Sequence, residues 1–306
     1  MNEVKPIESS EPEVLQTPKE EKPEKEKRGG NAKRKQIIFN VIIYALMILI
    51  AIAMFIPFYW MLLVSFRPRS EITSYPVNLL PTSFTFEHYE AFFNFGAFKY
   101  IGNTLIVIVA ILVTQLLFCS MAGYSLAKLR YPGKKFIVKF FMATMMIPGI
   151  ISLIPTFLVV NAFGAVDSLW GIILPATYSI YGCLFMRSFF IATPREIAEA
   201  ARIDGANEFV IFLRLYIPMV LPGFMTLALF TFNGSWNNYL WPSIVLPSQE
   251  DVWGTLAVAL KNFEAIYSDD YGSVMAGAFI MAIPSMLIFI CGQKYFVENL
   301  SFSGIK

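Results

Sequence analysis

Six long stretches without a charged side chain dominate the pattern of apolar and polar positions along the chain. Each has about as many residues as an α-helix needs to cross a bilayer, which is roughly 20. The stretches are 37–64, 100–127, 140–166, 168–186, 215–249 and 271–293. The pattern predicts an all-α, polytopic integral membrane protein with six transmembrane helices. We expect the fifth helix to end near Phe232, because the sequence becomes polar from Asn233 onward.

Composition agrees with this pattern. Hydrophobic residues make up 56% of the chain and charged residues only 15%, against roughly 45–50% and 25% in soluble globular proteins. The formal net charge of +2 at pH 7 is close to neutral, so no strongly basic composition indicates a nucleic-acid partner. The chain is therefore predicted to contact membrane lipid and no nucleic acid.

The first 36 residues differ from the rest of the chain. They contain eight Glu, nine Lys or Arg and four Pro, with few apolar side chains. Such a composition cannot bury enough surface to offset the entropy lost on ordering. We expect a disordered charged tail at 1–36 and a transmembrane domain at 37–306. The first span lacks a small-residue cleavage site in the usual place, so we expect it to remain as an anchor.

The distribution of Lys and Arg predicts the orientation of the spans. Twenty of these residues fall on one side of the six predicted helices, and four fall on the other side. Cytoplasmic loops of membrane proteins carry the excess of positive charge. Both termini, and the connection between the fourth and fifth helices, are therefore predicted to lie in the cytoplasm.

A short helix is predicted within that connection. Thr193 is a suitable N-cap, Pro194 fits the first helical position, and Glu196 completes a capping box three residues after the cap. Gly205 can adopt the left-handed conformation that ends such a helix. Asn207 is placed to cap a second helix that leads into the fifth span. The first helix is thus predicted to project from the membrane face.

The same connection carries a spaced signature. It reads Glu199-Ala200-Ala201-Arg202-Ile203-Asp204-Gly205, then nine residues, then Leu215-Tyr216-Ile217-Pro218. This pattern resembles the cytoplasmic signature of the membrane subunits of binding-protein-dependent ABC importers. The resemblance implies that the projecting helix docks in a cleft of a cytoplasmic ATPase and couples ATPase closure to helix movement. The residues to which it assigns ATPase coupling are Glu199, Ala200, Ala201, Asp204, Gly205 and Pro218.

Two further segments extend the resemblance to carbohydrate importers. One is similar to the second cytoplasmic connection of their permeases and reads Gly123-Tyr124-Ser125-Leu126-Ala127-Lys128-Leu129-Arg130-Tyr131-Pro132-Gly133. The other is similar to the end of the maltose-type second permease subunit, without its usual final Gly, and reads Asn299-Leu300-Ser301-Phe302-Ser303-Gly304-Ile305-Lys306. The resemblance covers roughly 36–306 and implies a core permease unit at about 100–297.

The resemblance also implies a cellular setting and a set of partners. The chain would lie in a prokaryotic inner membrane beside a second homologous permease subunit. A dimeric cytoplasmic ABC ATPase would bind ATP and Mg, and an extracytoplasmic solute-binding protein would deliver a sugar or oligosaccharide. The chain itself has no Gly-x-x-x-x-Gly-Lys-Ser/Thr phosphate loop, so it is predicted to be a transport subunit and not the ATPase.

Neutral polar side chains are the candidates for a solute path. Ionisable residues are absent from the predicted helical cores, which disfavours a proton relay. Neutral donors and acceptors suit an uncharged, hydroxylated solute, although the same groups also hold helices together by hydrogen bonds. The residues predicted to line the translocation path are Asn103, Gln115, Asn161, Tyr181 and Asn233.

Two long segments, about 67–99 and 233–270, are predicted to lie outside the cytoplasm. The second is rich in aromatic and acidic residues. It is interpreted either as the docking loop for the solute-binding protein or as an aromatic belt at the membrane interface. The residues predicted to form the docking loop are Trp236, Tyr239, Trp241, Trp253 and Tyr267.

No motif for catalysis or metal binding is found. His88 has no Cys nearby, and its neighbours Glu87 and Glu90 lack metal-ligand spacing. The three Cys residues are isolated within apolar spans, where we expect buried small hydrophobes. No catalytic residue, metal or cofactor of the chain's own is therefore predicted.

Proline positions predict broken helices. The prolines expected to interrupt helices are Pro148, Pro155, Pro175, Pro218, Pro222 and Pro284. Such breaks occur in moving helices and in static, kinked ones, and the sequence leaves both open. Two alternative functions also remain open: the same class of importer for another polar solute, such as a polyamine or a phosphate ester, and a membrane scaffold or sensor that binds an ATPase without transport.

Overall fold

The structure, a computed structural model, describes residues 29–75, 81–246 and 254–303. All regular secondary structure in these ranges is helical, and they contain no strand. The helices are α1 Gly29–Ser65, α2 Arg69–Ile72, α3 Glu87–Asn94, α4 Ala97–Lys128, α5 Lys134–Thr144, α6 Leu153–Ala162, α7 Leu169–Ala176, α8 Ile180–Ala192, α9 Glu196–Ile203, α10 Glu208–Val210, α11 Ile217–Met219, α12 Leu221–Trp236, α13 Leu240–Val245, α14 Leu256–Ile266 and α15 Tyr271–Ser303. The predicted all-α class is confirmed.

The chain divides into two compact units, Met1–Ile56 and Pro57–Lys306. The described part of the first unit belongs to α1, whose side chains over 33–56 are all exposed. This helix begins at Gly29, before the predicted start of the first span, because the residues at 33–36 are good helix formers. Helix α1 thus extends into the segment 29–36 of the predicted tail; the division into a tail and a transmembrane domain stays a prediction, and 1–28 lies outside the described residues.

Helix α4 lies at the centre of the second unit. It packs against α7, α8, α12 and α14. It approaches α8 closely at Gly123, where an added Cβ atom would lie 2.8 Å from the backbone nitrogen of Arg187. Small residues let membrane helices approach this closely. The contact forms the centre of an apolar core in which Tyr124, Met186 and Phe190 are buried.

Four helices or helix pairs are long and apolar enough to cross a bilayer without a sharp bend: Lys33–Ser65, Ala97–Lys128, Leu169–Ala192 and Tyr271–Lys294. Two further pairs qualify only if each bent pair is one span. Lys134–Thr144 and Gly149–Ala162 meet at 97°, and Glu208–Met219 and Leu221–Trp236 meet at 82°. The six predicted spans therefore correspond to four regular spans and two bent pairs.

Prolines lie at both of these bends. Pro148 precedes a 3₁₀ turn, Gly149–Ser152, that leads into α6. Pro218 and Pro222 each lie in the first turn of a helix, α11 and α12. A widened π-helical segment, Ile211–Tyr216, comes just before Pro218, since proline lacks an N–H and its ring displaces the carbonyl four residues earlier.

The other prolines do not all break helices. Pro155 lies in the first turn of α6, and α7 ends one residue after Pro175. Pro284 lies inside the continuous helix α15. The expectation that all six prolines interrupt helices is therefore wrong at Pro284, where the freed carbonyl is tolerated within a continuous helix.

The fifth span is longer than predicted. Helix α12 continues past Phe232 to Trp236. The Trp236 ring stacks on Phe232 at a centroid distance of 5.8 Å, and its Nε1 donates to the carbonyl of Met281 at 2.8 Å. These contacts stabilise the last turn despite the poor helix propensity of Asn233 and Gly234. The predicted end near Phe232 is therefore wrong.

Candidate functional site

The helix predicted between the fourth and fifth spans exists as α9, and its projection from the membrane face stays a prediction. It begins at Glu196, two residues later than expected. The hydroxyl of Thr193 donates to the carbonyl of Phe190 at 2.7 Å, so Thr193 completes the end of α8. The predicted capping box between Thr193 and Glu196 is wrong for this reason.

The end of α9 follows the prediction. Gly205 has a φ of +83°, the left-handed conformation that glycine adopts at little cost. The side-chain oxygen of Asn207 accepts a hydrogen bond from the backbone N–H of Val210 at 2.9 Å and caps α10. A sharp turn thus separates α9 from the helical segment that leads into the fifth span.

Helix α9 has one buried contact and a broad exposed face. Ala198 is 2% exposed and packs into the apolar core around Tyr124 and Phe190. Ala201 is partly buried against the same core. The exposed residues of the helix are Glu196, Glu199, Ala200, Arg202 and Ile203, and Asp204, which directly follows it, is exposed as well. The helix is therefore held along one side, and its other side is open to a partner.

Ile203 was missed by the sequence analysis. It is the last residue of α9 and is 87% exposed. A large apolar side chain at the tip of a helix is typical of a protein contact. The available signal was its position inside the signature, between Arg202 and Asp204.

Two hydrogen bonds fix the segment that leads into α9. The ammonium group of Lys128 donates to the carbonyl of Thr193 at 2.5 Å and lies 5.2 Å from the centroid of the Tyr216 ring. The hydroxyl of Tyr216 donates to the carbonyl of Pro194 at 3.1 Å. The entry to α9 is thereby attached both to the end of α4 and to the π-helical segment before the fifth span.

The far end of α9 is attached through Glu208. The guanidinium Nε of Arg202 donates to Oε1 of Glu208 at 2.6 Å, and the hydroxyl of Tyr124 donates to Oε2 at 2.7 Å. The hydrogen bond to Glu208 raises the pKa of Arg202 above its usual value. Because Tyr124 belongs to α4, movement of α9 is mechanically connected to the central helix at both ends.

The last predicted coupling residue, Pro218, is exposed in the first turn of α11. It lies beyond the π-helical segment and contributes to the bend of the fifth span. The structure thus places Glu199, Ala200, Ala201, Asp204 and Gly205 together, with Pro218 on the adjoining helix. Their role in ATPase coupling stays a prediction.

The predicted path residues divide into two groups. Asn103 donates to the carbonyl of Gly254 at 3.1 Å. Gln115 donates to the carbonyl of Ala176 at 2.8 Å and accepts from Thr231 at 2.7 Å. Both side chains therefore join helices inside the unit, as the sequence analysis allowed.

The other three path residues are exposed: Asn161, Tyr181 and Asn233. Tyr181 is 47% exposed and stacks on Phe185. Asn233 accepts two hydrogen bonds from the amide of Asn237, both at 3.0 Å. These exposed polar groups are available to a solute or to a neighbouring subunit, and their place in a translocation path stays a prediction.

The predicted docking residues are also divided. Trp236 is buried, and Nε1 of Trp241 donates to the carbonyl of Gly171 at 3.0 Å, so both rings join helices within the unit. Tyr239 is 44% exposed, and Tyr267 stacks on Phe263 at 4.2 Å. Trp253 lies outside the described residues. The docking function stays a prediction for this set.

His88 belongs to a buried polar cluster. Its Nε2 lies 2.7 Å from the carbonyl of Arg67, and its Nδ1 lies 3.1 Å from the hydroxyl of Ser273. Asp270 accepts from Arg69 at 2.5 Å and from Ser273. Burial acts to raise the pKa of Asp270, but the hydrogen bonds from Ser273 and Arg69 and the nearby His88 hold that pKa below its usual value. The cluster connects α2, α3 and the start of α15.

The described residues contain no group of three or more His, Cys, Asp and Glu side chains placed to hold a metal ion. Cys119 and Cys183 are buried, as expected. Cys291 is exposed on α15, so the expectation of a buried residue is wrong there.

Comparison with known proteins gives the family. Residues 120–301 match the family described as binding-protein-dependent transport system inner membrane component. The chain is 32% identical to the arabinooligosaccharides transport system permease protein AraQ of Bacillus subtilis, over 88% of this chain and 96% of that protein. It is also 32% identical to the diacetylchitobiose uptake system permease protein NgcG of Streptomyces coelicolor, over 86% of this chain and 88% of that protein.

A solved structure has the same fold. A chain of a bacterial ABC transporter involved in the import of the acidic polysaccharide alginate superposes with a TM-score of 0.76 and is 26% identical. The similarity covers 86% of this chain and 98% of that chain. Together with the apolar spans and α9, these matches show that the chain belongs to the family of binding-protein-dependent transport system inner membrane components, as a multi-pass permease subunit.

Proposed function

We propose that this permease subunit imports a carbohydrate, a sugar or an oligosaccharide. The named relatives transport or take up arabinooligosaccharides and diacetylchitobiose, and another, 28% identical, is the lactose transport system permease protein LacG of Rhizobium radiobacter. The exposed neutral groups of Asn161, Tyr181 and Asn233 suit the hydroxyls of such a solute. Uptake of labelled oligosaccharides by the assembled importer tests this substrate class, with a labelled polyamine and a phosphate ester as competing solutes.

We further propose that the chain works beside a second homologous permease subunit in the inner membrane of a prokaryote, with both of its termini in the cytoplasm. A dimeric cytoplasmic ATPase binds ATP and Mg, and an extracytoplasmic solute-binding protein delivers the solute. The family description supports the binding protein. The exposed face of α9 supports the ATPase contact.

The observation that carries the coupling role is the attachment of α9. Its open face bears Glu199, Ala200 and Ile203, while hydrogen bonds attach its two ends to α4 and to the segment around Tyr216. A partner that displaces α9 therefore also pulls on the central helix and on the bent fifth span. In this proposal, closure of the ATPases moves these helices and opens the permease pair alternately to the two sides of the membrane.

The substitution Gly205→Asp tests this coupling. An Asp at φ +83° costs conformational energy, and it adds a negative charge beside the exposed face of α9. We expect normal membrane insertion, loss of transport, and loss of the increase in ATP hydrolysis that loaded binding protein causes. The readouts are uptake in cells and ATP hydrolysis by the purified complex.

Gly164→Asp is the matched control. Gly164 has a φ of +64° and open space around its Cβ position, as Gly205 does, but it lies in the loop after α6. We expect this variant to keep its uptake. Normal uptake by the Gly205 variant, or equal loss in both variants, would remove the support for coupling through α9.

A further inference from the structure

A cavity of 290 Å³ lies between the end of α4, α9 and the π-helical segment. Four cationic side chains line it, together with two acidic ones. The cations are Lys128, Arg130, Arg195 and Arg202, and the acids are Glu199 and Glu208. Within the coupling site described above, this cavity has no assigned ligand.

The charges in the cavity do not balance. Glu208 is already neutralised by Arg202 and accepts from Tyr124. Three cations therefore face the single carboxylate of Glu199. Arg130 and Arg195 are exposed, and no hydrogen bond or ion pair joins either side chain to another described residue. A guanidinium group whose N–H donors are not used by other side chains can donate to two oxygens of one phosphate.

Lys128 adds a third donor group at the floor of the cavity. It is 8% exposed and uses one N–H for the carbonyl of Thr193, while an ammonium group has three. Arg195 and Lys134, opposed by the acid Glu196, are close enough to Lys128 to act on it electrostatically. This concentration of positive charge is costly without an anion, because like charges repel one another.

The cavity lies where spans end. Lys128 is the last residue of α4, and Thr193 directly follows α8. Both helices end candidate membrane spans there, and the ends of spans are expected at the level of lipid headgroups. The side chain of Lys134 reaches back to the carbonyls of Leu129 and Ala127, at 2.9 and 3.1 Å. Helix α5 therefore begins at the rim of the cavity.

The beginning of α5, the first helix of a bent pair, has the composition of a helix end at a membrane surface. It carries Lys135 and Lys139 with two exposed, stacked rings, Phe136 and Phe140, whose exposed fractions are 72% and 55%. Basic side chains beside exposed aromatic rings favour anionic lipid surfaces. A lipid that contacts α5 can thus place its headgroup in the cavity.

We propose that this cavity binds the phosphodiester headgroup of an anionic lipid, with Arg130, Arg195 and Lys128 as the phosphate-binding side chains. Basic pockets between membrane helices on the cytoplasmic side are known to select such headgroups. A bound lipid connects the end of α4 with the start of α9, and so stabilises α9 in the position seen here. The lipid site rests on the cavity and its charges, and it stands whether or not the solute is a carbohydrate.

The test measures lipid retained by the full-length chain. The purified protein is exchanged into mixed micelles that contain phosphatidylglycerol or phosphatidylcholine, and native mass spectrometry counts the bound lipids. We expect retention of phosphatidylglycerol over phosphatidylcholine by about tenfold. The double variant Arg130→Gln and Arg195→Gln is expected to lose this preference, whereas Arg195→Lys, which keeps the charge, retains most of it.

The control is the double variant Arg34→Gln and Arg214→Gln. Both arginines are exposed and lie outside the cavity, so this variant loses the same net charge and is expected to retain phosphatidylglycerol. Equal retention by all variants would overturn the proposal. Displacement of the lipid by millimolar inorganic phosphate would show that the cavity binds a free anion instead. If the Arg130→Gln and Arg195→Gln variant retained its lipid but no longer recovered the ATPase, the two arginines would belong to a protein contact.

Discussion

Single side chains decide whether α9 can transmit force. Tyr216 is buried. Its ring makes a cation–π contact with the ammonium group of Lys128, and its hydroxyl donates a hydrogen bond to the carbonyl of Pro194. The ring fills the core, while the hydroxyl makes the connection to the entry of α9. The two roles can be separated by removing one oxygen atom.

The substitution Tyr216→Phe is predicted to weaken coupling and to preserve the fold. It removes one hydrogen bond, worth about 1 kcal/mol, which lowers the ratio of attached to detached α9 by about fivefold. We expect less solute transported per ATP hydrolysed, with normal expression. The measurement is the ratio of the two rates in reconstituted vesicles.

Tyr271→Phe is the control for that prediction. Tyr271 is exposed at the start of α15, and its hydroxyl has no hydrogen bond to another described residue. An unchanged ratio is expected. A normal ratio in the Tyr216 variant as well would show that the hydroxyl does not transmit movement.

The identity of single residues predicted the local backbone geometry better than it predicted the direction in which side chains point. The left-handed turn at Gly205 and the cap at Asn207 were predicted correctly, because each depends on a few neighbouring atoms. The positions of Trp236 and Trp241 were not predictable, because each ring donates to a carbonyl on a distant helix. The same long-range packing turned Asn103 inward.

Helix α9 is stabilised by contacts with neighbouring elements, while the side chain at its last residue is exposed. It is only eight residues long, shorter than the roughly 12–15 residues that an isolated helix needs for stability in water. Its stability therefore comes from Ala198 in the core and from the attachments at its ends. This arrangement leaves the apolar side chain of Ile203 for a partner.

The substitution Ile203→Asp is predicted to weaken ATPase binding. Burial of an Ile side chain is worth roughly 1.5–3 kcal/mol, and a charge in its place adds a desolvation cost. We expect at least a tenfold fall in the ATPase recovered with the purified permease. The measurement is quantitative co-purification from membranes.

Phe163→Asp provides the comparison. Phe163 is 76% exposed directly after α6, on the side predicted to face away from the cytoplasm. This variant should retain the ATPase. Full recovery with the Ile203 variant would place the contact elsewhere on α9.

The sequence predicted the existence of the long elements but not their bends. Charge-free windows mark where helices can lie in a membrane, because a charge there is costly. The 97° and 82° bends depend on how the segments around Pro148 and Pro218 pack. A proline permits a bend without requiring one, and the continuous α15 through Pro284 shows this.

At the scale of the whole molecule, the two bent pairs decide the topology. If each pair is one span, the chain crosses the membrane six times, and α9 lies on the same side as the termini. If each pair enters and leaves on one side, the chain crosses four times, and α9 lies opposite the termini. The distribution of Lys and Arg favours six crossings.

Labelling of introduced cysteines distinguishes the two topologies. We choose Asp204→Cys, beside α9, and Phe163→Cys, after α6, because both positions are exposed. Six crossings predict that a membrane-impermeant maleimide labels the Phe163 variant in intact cells and the Asp204 variant only after permeabilisation. The unmodified chain, with Cys119, Cys183 and Cys291, gives the background. The reverse pattern would place α9 outside the cytoplasm, where no ATPase can reach it, and would contradict both the six-span topology and the coupling role.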